Sequence, residues 1–182
     1  MNTKVLIFPG GFQYVKNYLK YDGVDIWLKS SPQNIPIADY YIGHSAGASF
    51  ILSNYDSIKD GTFILVNPLI RKRNIISFLW SWIKFFILEG VKKEHRLKRL
   101  VPIRDWPYGF KKVLELIKVD VLDIVQRIPK ENIVIVRGNK DYYFCDENSV
   151  ELIKRNDIKL IEIDAGHDWN EKMEETINSL TV

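Results

Sequence analysis

The stretch Ala38-Asp39-Tyr40-Tyr41-Ile42-Gly43-His44-Ser45-Ala46-Gly47 decides how this chain is read. A short, mostly apolar run leads into Gly-His-Ser-Ala-Gly, and a segment of helical character follows. In a strand–turn–helix setting, the pattern G-x-S-x-G puts its serine on a turn so tight that the hydroxyl projects from the end of the sheet. Gly43 and Gly47 suit that turn, because a larger residue would collide where the backbone closes on itself. Ala46 and Ala48 are small so that the helix start can lie against the sheet. Five residues of this kind are a modest signal alone; the setting gives them weight.

Upstream, Lys4-Val5-Leu6-Ile7-Phe8 reads as a buried parallel strand, and Pro9-Gly10-Gly11 breaks it. Phe12, Val15 and Leu19 recur at helical spacing and predict a helix from near Phe12. Val24-Asp25-Ile26-Trp27-Leu28 reads as the next strand, and Ser30 to Asn34, with Pro32-Gln33, as a loop. Downstream, Ala46 to about Ile58 reads as a helix with Phe50, Ile51 and Tyr55 on one side. Thr62–Val66 reads as a fourth strand, stopped by Asn67-Pro68. This alternation predicts an α/β chain with a parallel, doubly wound sheet. It resumes later: a helical stretch from Lys111 to Arg127 with a second piece capped by Asp120, a strand Asn132–Val136, a helix Glu147–Arg155 and a strand Ile158–Ile163. A last helix carries Trp169, Met173, Ile177 and Leu180 on one face.

Residues 71 to 110 interrupt the rhythm. Arg71-Lys72-Arg73 and the basic run 92–99 flank an apolar segment, Ile75 to Leu88, whose polar residues are Ser77, Ser81 and Lys84. A helix would gather those three into a narrow stripe and leave the rest apolar. Such a surface needs a cover. It can lie over the site as a lid, pair with a second copy in a homodimer, rest on a membrane surface with its basic flanks near anionic headgroups, or simply pack onto the sheet.

The 182 residues suit one domain, 1–182, carrying the insertion at about 71–110. A net charge of +3 implies no general affinity for nucleic acid. The one cysteine, Cys145, allows no intrachain disulfide, so a reducing, cytoplasmic setting is expected, with the thiol packed as a small hydrophobe. Met1 to Phe8 reads as a strand rather than a signal peptide. No run has metal-ligand spacing and none forms a glycine-rich phosphate loop, so neither metal nor cofactor is expected.

A serine hydroxyl needs a base within reach, and the base needs an orienting acid. The histidines are His44, His95 and His167. His44 lies inside the turn, where its ring should point away from the attack path of Ser45. His95 lies in the basic flank. His167 follows the last strand, at the sheet edge that also carries Ser45 and Asp141. Ser45, Asp141 and His167, in that order, resemble the α/β-hydrolase superfamily, in its small, trimmed serine esterase form. The resemblance implies a three-layer sandwich with a mostly parallel six-stranded sheet lacking the superfamily's first two strands, and a helical cap insertion. It implies Ser45 as nucleophile, His167 as general base and acid, and Asp141 as the acid that fixes the imidazole. Asp146 is the competing acid, but it stands where a cap for the helix at Glu147 belongs. Asp168 with Glu171 has the form of a helix N-cap pair. The oxyanion would be met by the backbone N–H of Ala46 and by Gly11 or Phe12 in the loop after the first strand. Trp82, Phe85 and Phe86 of the insertion would bind the substrate, a small-molecule acyl ester or thioester. Acyl transfer on the same fold, or a non-catalytic binding or membrane-peripheral protein, are the competing readings.

Overall fold

The computed structural model describes residues 3–18, 20–31, 34–90 and 100–181. Leu19, Pro32-Gln33, and the basic run 92–99 with His95 fall outside the described residues.

Strands β1 (Val5–Phe8), β2 (Asp22–Gly23), β3 (Tyr40–His44), β4 (Thr62–Val66), β5 (Ile133–Gly138) and β6 (Leu160–Ile163) form one sheet in the order β2-β1-β3-β4-β5-β6. Every pairing is parallel. The helices are α1 (Ala46–Ser53), α2 (Tyr55–Ile58), α3 (Ile75–Phe85), α4 (Trp106–Leu116), α5 (Val121–Arg127), α6 (Glu147–Arg155) and α7 (Glu171–Leu180). The inner strands β1, β3, β4 and β5 are buried on both faces because both are covered, whereas the edge strands β2 and β6 are partly open. Period-two alternation sends Leu6, Phe8, Tyr41, Phe63, Leu65 and Ile135 into one core, shared with α1, α4 and α5. Ile7, Ile42, Ile64, Val66, Val134 and Val136 enter the other, against Met173 and Ile177 of α7. The result is three layers. With all strands parallel, their carboxyl ends share one edge.

Several local expectations are corrected. No helix starts at Phe12; its φ is +60°, and only a 3-10 turn over Val15–Asn17 follows. The Asp25 carboxylate accepts from the Val15 N–H (2.6 Å) there. Val24–Leu28 is not a strand. The pairing with β1 occurs two residues earlier, Val24 N–H adds one more bond to Ile7 O (3.1 Å), and the buried Ile26 and Trp27 sit in turns held by hydrogen bonds such as Leu28 N to Asp25 O. The helix expected to run to Ile58 breaks at Asn54, whose side chain donates to the Phe50 carbonyl. The cap of α7 is Asn170, accepting from the Met173 N–H, and not Asp168. Asp120 and Asp146 cap α5 and α6.

The apolar insertion forms α3, capped by Asn74 and continued by a π turn over Phe86–Gly90. Phe78 is buried beneath it, while Ile76 (77% exposed), Trp80 (59%), Ile83 and Ile87 lie outward. Among the described residues no helix is long and apolar enough to cross a membrane.

Candidate active site

β3 ends at His44 and α1 begins at Ala46, so Ser45 must reverse the chain alone. It does so at φ 53°, ψ −119°, a conformation that costs a non-glycine residue of order 1–3 kcal/mol. The turn persists because its surroundings fix it: Ser45 N–H donates to Val66 O at 2.8 Å, and Ala48 N–H to Ser45 O at 3.0 Å. The flanking glycines have steric reasons. A Cβ on Gly43 would lie 2.5 Å from Ala48 Cα, and one on Gly47 would lie 2.1 Å from Phe8 O.

His167 follows β6 and Asp141 follows β5. Their side chains meet Ser45 at the shared edge: His167 Nε2 is 2.9 Å from Ser45 Oγ, and His167 Nδ1 is 2.6 Å from Asp141 Oδ2. The charged Asp141 carboxylate can only accept, so the facing Nδ1 carries the proton and Nε2 is free to accept one from the hydroxyl. Burial by itself works against the charged form of Asp141. The facing His167 and the N–H groups of Phe144 and Cys145 outweigh it and hold the pKa down at about 2. Asp146 does not take this place. It is engaged as the α6 cap and in ion pairs with Arg71 (2.8 Å) and Arg73 (3.0 Å). Cys145 is buried, and burial pushes its thiol pKa up, which keeps it protonated.

Four further residues, of which only His44 lies within the motif, hold these groups in place. Asn67, at the end of β4 with φ 46°, donates from Nδ2 to Gly166 O (3.1 Å) and His167 O (2.9 Å) and accepts from Gly138 N–H (2.8 Å). Its sequence signal was only that of a strand stop before Pro68. His44 points away from the hydroxyl, as its place in the turn suggested. Its Nε2 faces His167 O at 2.9 Å, so that nitrogen carries the proton, and Nδ1 faces Tyr18 Oη at 2.7 Å. The same Tyr18 oxygen accepts the Gly10 N–H at 2.9 Å. Burial, with His167 nearby, pushes the His44 pKa down to about 4. Arg137, 1% exposed, donates to Cys145 O, Glu162 and Glu147. Arg73 reaches from the insertion to the carbonyls of Tyr143 and Phe144 and to Ser81 of α3. The Asp141 loop is thus tied to both the sheet and α3.

Gly11, Phe12, Ser45, Ala46 and His167 line one cavity. Among the described residues the N–H groups of Gly11, Phe12 and Ala46 find no acceptor. The roof is α3. The Phe85 ring meets the His167 ring edge-on at 5.2 Å, and Phe144 approaches that ring at 4.5 Å. Trp82 and Phe85 line this cavity and a second one beside it; Phe86 lines the second alone. Among the described residues no three His, Cys, Asp or Glu side chains cluster as metal ligands. A Ser–His–Asp chain of this geometry can move a proton from the hydroxyl to the imidazole.

No family model and no curated protein matches this chain. Solved structures do. An α/β-hydrolase enzyme from a Medee basin deep-sea metagenome library is similar over 100% of this chain and 88% of its own, at 17% identity and TM-score 0.63. A lipase-esterase related protein from Clostridium acetobutylicum matches over 99% and 94%, at 14% identity and TM-score 0.66. A monoacylglycerol lipase from Paleococcus ferrophilus matches over 100% and 95%, at 12% identity and TM-score 0.59. The chain has the α/β-hydrolase fold.

Proposed function

We propose that this protein is a serine hydrolase that cleaves a carboxylic ester or thioester through an acyl-serine intermediate. The observation that carries the reading is the unbroken chain Asp141–His167–Ser45, with contacts of 2.6 and 2.9 Å. Ser45 Oγ attacks the carbonyl carbon as His167 Nε2 takes its proton. The oxyanion faces the N–H of Ala46 and that of Gly11 or Phe12. Collapse of the tetrahedral species breaks the bond to the leaving oxygen or sulfur, which receives the proton from Nε2. Water then attacks the acyl-serine by the same route, giving the carboxylic acid and free serine. Asp141 stays charged throughout and stabilises the imidazolium.

Two features support α3 as a lid. Its aromatic face roofs the cavity, and Arg73 links it to the Asp141 loop. Trp82, Phe85 and Phe86 then contact an apolar substrate group.

A fluorophosphonate probe tests the assignment. Labelling of the intact protein that disappears in Ser45→Ala is expected. If the intact protein resists the probe and turns over no ester, a binding protein on this fold replaces the hydrolase. Turnover only when an acceptor other than water is supplied marks a transferase.

A further inference from the structure

The second cavity lies beside the serine's cavity and shares Phe12, Trp82 and Phe85 with it. Its walls are mostly aromatic rings, and two groups of them oppose each other. Phe12, Trp106 and Phe110 interlock on the body of the protein, with ring centroids 5.0 to 6.3 Å apart. Trp82 and Phe86 stack on the lid side at 5.8 Å and 20°. Among the described residues no ring of one group packs on a ring of the other, and rings of both groups line the cavity.

From this arrangement we propose that the second cavity is a slot for an aromatic ring of the substrate, making aryl and arylalkyl esters the preferred class over flexible alkyl esters. The inference rests on the hydrolase reading of Ser45. Ring faces carry negative charge and ring edges positive, so a guest ring gains edge-to-face or offset contacts from both walls beyond simple burial. A saturated guest of similar area gains only the burial. A flexible chain in addition loses rotamer freedom on entering a preformed slot. Wall rings turn about two bonds each, and each group packs ring on ring, so few rotamers are lost when a guest enters. Trp106 is fixed further by its indole N–H, which donates to Val101 O at 3.1 Å.

The experiment pairs turnover with binding. Methyl 3-phenylpropanoate, methyl 3-cyclohexylpropanoate and methyl hexanoate share one leaving group and are compared by pH-stat kcat/KM. The phenyl ester should exceed both others about tenfold. Phe86→Leu and Trp106→Leu should each bring that ratio toward one. Phe86 is partly exposed, so its replacement keeps the test alive if the Trp106 variant does not fold. Trp80→Leu, on the outward side of α3, should keep the ratio. Calorimetry with 3-phenylpropan-1-ol and 3-cyclohexylpropan-1-ol on the Ser45→Ala protein reads the slot without chemistry. Esters cleaved with no phenyl preference in either arm overturn the slot alone. A phenyl preference in binding with no ester cleaved overturns the hydrolase reading and leaves the slot. A phenyl preference that neither Phe86→Leu nor Trp106→Leu reduces overturns the slot.

Discussion

Asn67 Nδ2 donates to the carbonyl oxygen of His167 at 2.9 Å, so a residue at the end of β4 holds the backbone of the histidine that faces Ser45. The same amide group holds Gly166 O, and its oxygen receives Gly138 N–H. Three strand-end loops are therefore fixed by one buried side chain.

Replacing it should be costly. Asn67→Ala leaves the buried Gly138 N–H and the Gly166 carbonyl without partners, leaves the His167 carbonyl to His44 Nε2 alone, and also forces alanine into φ 46°. A loss of about 3 kcal/mol in urea unfolding is expected, with a more than tenfold fall in the rate of fluorophosphonate labelling. Asn67→Gly accepts the backbone conformation and should recover about 1 kcal/mol of stability without recovering the labelling rate. Equal stability of the two variants would show that the backbone strain does not matter.

The turn at Ser45 should trade stability for reactivity. Its φ of 53° and ψ of −119° suit glycine, so Ser45→Gly should be more stable than Ser45→Ala by about 1 kcal/mol in thermal or urea unfolding. Both variants should lose ester turnover by at least about 10³-fold. Ser45→Ala as the more stable of the two would mean that the turn stores no strain.

His44 predicts an acid-side loss of stability. Its pKa in the folded chain is about 4, against 6.5 for the ordinary side chain, because burial disfavours the charged ring. Between those values the unfolded chain binds the extra proton and the folded chain does not. Stability is therefore fully present above about pH 6.5 and falls as pH drops toward 4, by about 3 kcal/mol in total. Asp141, also depressed, adds a second loss only below about pH 4. Urea unfolding across pH 4 to 7 should show a flatter slope in His44→Gln; an unchanged slope would assign the effect elsewhere.

The outward face of α3 predicts contact with a lipid surface. Ile76, Trp80, Ile83 and Ile87 are exposed together, and Lys84 lies over the Trp80 ring at 5.4 Å. Flotation with anionic vesicles is expected, and Trp80→Glu combined with Ile83→Glu should abolish it. A wild-type protein that stays unbound but dimerises, with the double variant monomeric, would make this face a homodimer contact.

Much of the architecture was readable from periodicity. Thr62–Val66, the run ending at Ile42 and Ile133–Val136 are continuous apolar stretches of strand length, and such runs report a sheet buried on both sides. Val24–Leu28 looked the same and is a turn. Burial selects apolar residues whether or not the backbone pairs, so composition alone could not separate the two cases. Phe12 misled for a related reason. Its spacing with Val15 was helical, but a positive φ and the Asp25 carboxylate on Val15 N–H redirect the chain.

What the sequence determined by itself was the order of elements and the types of groups at the strand ends. Hydrophobic periodicity and turn chemistry act locally, and Gly43, Ser45 and Gly47 declare their turn within five residues. What only the tertiary structure decided was which distant groups touch: His167 with Ser45, Asn67 with the His167 backbone, and Arg73 with the Asp141 loop. Those contacts join residues 70 to 122 positions apart. They exist because a parallel sheet brings every strand's carboxyl end to one edge, a placement that no local pattern encodes.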